Sequence, residues 1–179
     1  MVDAARVYDE LLVTLYLGGD ALAGERLAKR YQPWLLRTAR RLLGNDELAQ
    51  VAAQQCWMAV LSGIGSLSDP ARFAPWAFTI LRRKCADAIR VEQRACSRAS
   101  GEMPEDLPEP YAGREETLAV RQAIGALPED QRLATHLHYI EGFTLTEIAE
   151  VQGVPAGTAK TRLFHARRKL KAALSGEIS

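Results

Sequence analysis

The chain is poor in the residues that would place it in most other classes of protein. Three cysteines, Cys56, Cys85 and Cys96, are an odd number without close-pair spacing. That fits reduced thiols in a cytoplasmic protein better than a disulfide framework. Apolar runs fall far short of the roughly 18 residues that span a bilayer. LLVTLYLGG at 11–19 has the length of a signal-peptide core, but Asp3, Asp9 and Glu10 stand where a basic leader belongs, so no membrane insertion is expected. No HExxH, GxSxG or P-loop pattern occurs. His136 and His138, two apart on a helix, face different ways, and His165 lies in a basic segment. No metal, cofactor or enzymatic activity is therefore expected. Internal repeats and low-complexity tracts are lacking too.

What is present is a chain of 179 residues, 47% hydrophobic, enough for one or two cores. Net charge is only +1, yet it is unevenly spread. Residues 1–90 hold 12 Lys/Arg against 9 Asp/Glu, residues 91–118 hold 3 against 7, and residues 119–179 hold 8 against 6. The acidic middle carries Gly101, Pro104, Pro108, Pro110 and Gly113 with scarcely an apolar cluster. It is predicted to be a flexible linker over 92–116, between helical domains at 1–91 and 117–175. The expected fold class is all-α.

Residues 127–171 carry the densest local signals. Pro128 and Gly142 bracket a helix at about 128–141. Thr144 and Glu147 form a capping box for a second helix, which Gly153 ends after about ten residues. Pro155 sets the backbone for a third. Two helices joined by a tight glycine turn make a helix-turn-helix. In the last helix Ala159, Leu163, Ala166 and Leu170 share an inward face. Thr158, Lys160, Thr161, Arg162 and His165 lie near its start, where base edges are read, and Arg167, Arg168, Lys169 and Lys171 trail behind. No acidic residue occurs between Glu150 and Glu177. A basic run near a helix C-terminus also complements the helix dipole, and that bland reading stands beside the first.

In the N-terminal half, Tyr8, Leu11, Leu12 and Leu15 fit one face of an amphipathic helix. Core stripes are predicted through Leu27, Tyr31, Trp34, Leu35 and Leu42, and through Leu48, Ala52, Cys56, Ala59 and Val60. After a flexible loop, SGIGSLSDP at 62–70, Phe73, Ala77, Ile80, Leu81 and Ala88 can face inward. Arg72, Trp76, Thr79, Arg83, Asp87 and Arg90 line a second stripe, broadened by Arg82 and Lys84. Cations beside an aromatic suit single-stranded nucleic acid. The same stripe also fits a solvated basic face with Trp76 in the core.

These residues resemble a known family, the extracytoplasmic-function sigma factors of bacterial RNA polymerase. The likeness lies in Leu127, Pro128 and Arg132; Tyr139, Glu141 and Gly142; Glu147 to Ala149; Gly153 to Pro155, Gly157, Thr158 and Lys160 to Arg162; and Ala166 to Arg168 with Leu170. The same kind of helix-turn-helix serves other transcription factors, so the N-terminal half has to decide. There RYQPWLLRTARRLLG at 30–44, QxCWMAVL at 54–61, FAPWAFTILRR at 73–83 and ADAIR at 86–90 are similar to sigma region 2.

The resemblance implies that region 2 docks on core RNA polymerase and melts the minus-10 promoter element, while region 4 reads the minus-35 duplex. It assigns Thr158, Lys160, Thr161, Arg162, His165 and Arg168 to minus-35 DNA, and Arg72, Trp76, Arg82, Arg83, Asp87 and Arg90 to minus-10 DNA. Asp46, Glu47, Gln50 and Gln54 would meet the polymerase. The linker would thread towards the polymerase active-site channel, and an anti-sigma factor is a candidate third partner. One departure stands out: relatives carry an acidic cluster in the second helix of region 2, where this chain reads Leu48-Ala49-Gln50-Val51-Ala52-Ala53-Gln54-Gln55. That departure keeps open a second reading, a sigma-derived DNA-binding regulator with weak or no polymerase binding.

Overall fold

The structure, a computed structural model, describes residues 4–98 and 115–175, and every regular element among them is helical. The chain divides into two compact units, Met1–Leu107 and Pro108–Ser179. No helix among the described residues is long and apolar enough to cross a membrane.

The first unit contains α1 (Ala4–Leu17), α2 (Ala21–Leu43), α3 (Asp46–Gly63) and α4 (Phe73–Arg98). Local chemistry sets the joints. Asp20 caps α2 by accepting from the Leu22 and Ala23 amides, and Gly44 ends it at φ 64°, a left-handed conformation that suits glycine. Asn45 at once caps α3. Helix α3 packs on α2 and α4, and α1 packs on α2 and on the turn that precedes α4. The core holds Leu27, Tyr31 and Leu35 of α2, Ala52, Cys56 and Val60 of α3, and Phe73, Ala77, Phe78 and Leu81 of α4. Trp34, Leu42, Leu48, Ala59, Ile80 and Ala88, expected inside, are half-buried at its margin.

Three expectations are revised here. In α1 the buried positions are Asp9, Leu12 and Val13, while Tyr8, Leu11 and Leu15 face solvent. A carboxylate can turn inward because Arg30 and Tyr31 of α2 meet it there. Residues 62–70 are not a plain glycine-serine loop but contain a short 3₁₀ turn, Ile64–Ser66, and lead into a second, Pro70–Arg72. Ile64 is buried and Asp69 caps the second turn. Helix α4 runs on to Arg98, into the segment expected as linker from residue 92. The rest of that segment, 99–114, lies outside the described residues.

The second unit contains α5 (Glu115–Gly125), α6 (Glu129–Tyr139), α7 (Leu145–Gln152) and α8 (Ala156–Ser175). Pro128 sits just before α6, where its carbonyl accepts from the Arg132 amide. Thr144 and Glu147 form the capping box of α7, and Gly142 and Gly153 take the positive φ of left-handed turns. Helix α8 packs on α5, α6 and α7 through buried Ala159, Leu163 and Ala166, with Leu170 half-buried. Arg132 donates to the Gly125 carbonyl at 3.1 Å, tying α6 to the end of α5.

Candidate nucleic-acid interface

On α8, a turn of about 100° per residue separates the inward stripe of Ala159, Leu163 and Ala166 from an outward one. Thr158, Lys160, Thr161 and Arg168 are exposed, and His165 is half-buried. Phe164, which sequence reasoning passed over, is 61% exposed with its ring 5.6 Å from that of His165. An apolar ring on an otherwise polar helix face was the available signal, since Phe164 lies one turn from Thr161 and from Arg168. The outward face thus joins cations, hydroxyls and a ring, a combination that can contact phosphates, base edges and thymine methyls.

Arg162 points elsewhere. Its Nη2 lies 2.6 Å from Oδ2 of Asp130 on α6, and its Nη1 donates to Oε1 of Gln152 on α7 at 2.8 Å. Arg167 is engaged too: its Nε donates to the Tyr139 hydroxyl at 2.5 Å, with the guanidinium 5.6 Å over the Tyr139 ring.

In the first unit, Arg72 ends the second 3₁₀ turn and is exposed, as are Arg83, Asp87 and Arg90 on α4. Arg90 and Asp87 form a 3.0 Å ion pair on the surface. Arg82 is half-buried and about 100° round the helix from Arg83, so it borders the stripe. Trp76 is half-buried, tilted against Phe73 at 6.1 Å, and covers Gly63, where a Cβ would stand 3.3 Å from its ring. Phe73 in turn packs edge-on against Tyr31 at 5.0 Å. The tryptophan is therefore anchored on one side and reachable on the other.

On α3, Asp46, Glu47, Gln50 and Gln54 are all exposed, and Asp46 is met by Arg40 at 3.1 Å. Glu47, Gln50 and Gln54 share their face with exposed Val51, Met58 and Leu61, so the outward surface is largely amide and apolar, in keeping with the missing acidic cluster noted in the sequence.

No group of three or more His, Cys, Asp or Glu able to hold a metal ion occurs among the described residues. His136 Nε2 is fully buried 3.0 Å from Glu141 Oε1, and His138 Nδ1 lies 3.0 Å from the Phe143 carbonyl. Both rings serve the end of α6. Cys56 and Cys85 are buried, and burial pushes each thiol up to about 12.

Comparison with known proteins finds relatives of both units. Residues 27–95 match the family model for Sigma-70 region 2, and residues 117–170 that for Sigma-70, region 4. The ECF RNA polymerase sigma factor EcfG of Rhodopseudomonas palustris is 32% identical over 157 residues, covering 87% of this chain and 86% of EcfG. The ECF RNA polymerase sigma factor SigM of Mycobacterium tuberculosis is 29% identical over 164 residues, 90% of this chain and 82% of SigM. Among solved structures, the sigma factor RpoE in complex with the anti-sigma factor NepR, from Bartonella quintana, superposes with a TM-score of 0.73 at 25% identity, covering 84% of this chain and 96% of that one.

Proposed function

Because this chain belongs to the extracytoplasmic-function sigma factors, we propose that its two units divide promoter recognition between them. The protein directs promoter recognition with RNA polymerase, and it is a transcription initiation factor rather than an enzyme. The functional domains are residues 1–91 and 117–175 with a linker over 92–116; the length of α4 carries the first helical body a few residues into that linker.

In this reading α8 enters the major groove of the minus-35 element. The observation that carries it is the outward face of Thr158, Lys160, Thr161, Phe164, His165 and Arg168, on a helix without a carboxylate. Lys160 and Arg168 meet phosphates, while Thr161, Phe164 and His165 stand nearest the base edges. In the first unit the exposed Arg72, Arg83 and Arg90 track a single strand beside Trp76, with Arg82 and Asp87 at the edge.

The outward face of α3 is the proposed contact with core polymerase, through Glu47, Gln50 and Gln54 together with Val51, Met58 and Leu61; Asp46 borders it. An anti-sigma factor is proposed as the restraining partner, as NepR is for the RpoE it is crystallised with. A cytoplasmic location follows from these partners.

Size exclusion of the protein with bacterial core RNA polymerase, followed by run-off transcription from the complex, tests the α3 assignment. The wild type is expected to co-elute and to give promoter-dependent transcripts. Gln54→Lys with Met58→Lys should abolish co-elution while duplex binding persists. Co-elution unchanged by both substitutions would move the polymerase contact off α3.

A further inference from the structure

Resting on the reading that α8 contacts duplex DNA, we infer that Arg162 is a positioning residue, one that sets the pose of α8 through Asp130 and Gln152 instead of touching bases. Its two terminal nitrogens are both occupied by protein. Nη2 binds the Asp130 carboxylate at 2.6 Å and Nη1 binds the Gln152 amide oxygen at 2.8 Å. The other end of that amide donates to the Asp130 carbonyl at 2.8 Å, which closes a ring of three residues.

Each member comes from a different helix: Asp130 from the first turn of α6, Gln152 from the last residue of α7, and Arg162 from the middle of α8. Gln152 is only 2% exposed, so its amide has no water to fall back on if a partner is lost. The Arg162 side chain is 21% exposed. A guanidinium presents its donors in a fixed planar fork, so two partners at set angles define its orientation, as a lysine could not.

The partners, rather than helix position alone, separate the two roles. Arg162 is about 100° round α8 from Thr161 and about 120° from Arg168 but only one turn from Thr158 and from His165, so it stands at the margin of the outward face, and its bonds to Asp130 and Gln152 turn it towards α6 and α7. Swinging it into the groove would break two charge-assisted bonds and strand the Gln152 amide. Held in place, it fixes the rotation of α8 about its own axis, which decides whether Thr161, Phe164 and His165 meet base edges or miss them. Small misplacements of a recognition helix are costly because bidentate base contacts are directional.

Asp130 supplies the discriminating test, because the two roles predict opposite signs for its removal. If Arg162 read bases or phosphates, losing a neighbouring carboxylate would free it and take a negative charge away from DNA, so affinity would hold or rise. If Arg162 positions α8, losing Asp130 weakens binding. The probe is the duplex that the wild-type holoenzyme selects from a randomised DNA library, and binding is measured at several salt concentrations for Arg162→Met, Asp130→Asn and the double variant, with Arg162→Lys as the conservative variant.

The expected result is about tenfold weaker binding for either single variant, with the double no weaker than the singles. Salt slope should stay as in the wild type, sequence preference should slacken evenly across the site rather than at one base pair, and Arg162→Lys should restore little. Wild-type or tighter binding by Asp130→Asn, or loss of discrimination at one base pair in Arg162→Met, would overturn the inference. Should Arg162→Met fail to fold, Asp130→Asn and its selected sequence decide alone. Failure of the underlying reading looks different: Lys160→Ala with Arg168→Ala would then leave duplex binding intact.

Discussion

The hydroxyl of Tyr31 on α2 donates to the carboxylate of Asp9 on α1 at 2.9 Å, inside the first unit. Arg30 closes the arrangement by pairing with the other carboxylate oxygen of Asp9, while its guanidinium lies 5.4 Å over the ring of Trp34 and 5.9 Å over that of Tyr8. A charge turned inward is thus matched by one cation and one hydroxyl. The same Tyr31 ring packs edge-on against Phe73 at the start of α4, so one cluster joins three helices.

Asp9→Ala should destabilise the first unit by about 2–4 kcal/mol, because it leaves a buried hydroxyl and a part-buried guanidinium unmatched. Urea unfolding of the full chain, followed by tryptophan fluorescence, reads this directly, since all three tryptophans lie in that unit. A midpoint within experimental error of the wild type would show that the cluster contributes nothing net.

Stability of the first unit should fall at alkaline pH. Burial raises the thiols of Cys56 and Cys85 from 9.0 to about 12, and burial together with Asp9 holds Tyr31 above its ordinary 10.0. All three ionise more readily when unfolded, so their contribution is complete below about pH 9 and is lost as pH climbs through the folded values. Replacing both cysteines with alanine should flatten the fall between pH 9 and 12. An unchanged slope would place its origin elsewhere, and the native thiols should also react slowly with disulfide reagents at neutral pH.

Trp76→Ala is expected to impair strand opening more than duplex binding. The exposed part of the ring can stack on a base, an interaction worth about 1–3 kcal/mol, while the anchored part fills the space over Gly63. Trp76→Phe keeps much of the packing and separates the two effects. Permanganate reactivity of promoter thymines is the readout, and equal reactivity in wild type and Trp76→Ala would leave Trp76 a packing residue only.

Lys160→Ala and Arg168→Ala should each weaken minus-35 binding to a similar degree on every sequence and lower the salt slope by about one. Phe164→Ala should instead change which bases are preferred, with the salt slope untouched. Loss of sequence preference in Lys160→Ala would assign that lysine to a base edge.

The boundaries of α6 and α7 and the start of α8 were legible because their causes are local. A capping hydroxyl, the glutamate three residues on, and glycines at φ 70° and 65° act within a single turn of chain. The buried stripe of Ala159, Leu163 and Ala166 follows from helical period alone, and the order of motifs from Leu127 to Leu170 was enough to reveal the family resemblance. The acidic-cluster gap on α3 could be seen as a missing charge, but not as the exposed Val51, Met58 and Leu61 that share the face.

By itself, then, the sequence determined the all-helical class, the helix-turn-helix and the family, all of which rest on neighbours within a few residues. The tertiary structure alone decided that Asp9 turns inward while Leu11 and Leu15 face water, and that Arg162 faces Asp130 and Gln152 rather than the surface of Thr161 and Phe164. The partners concerned are 21, 22 and 32 residues apart for Arg30, Tyr31 and Arg162. Hydrophobic period ranks a side chain by its own polarity, whereas the cost of burying a charge depends on what distant residue waits to meet it.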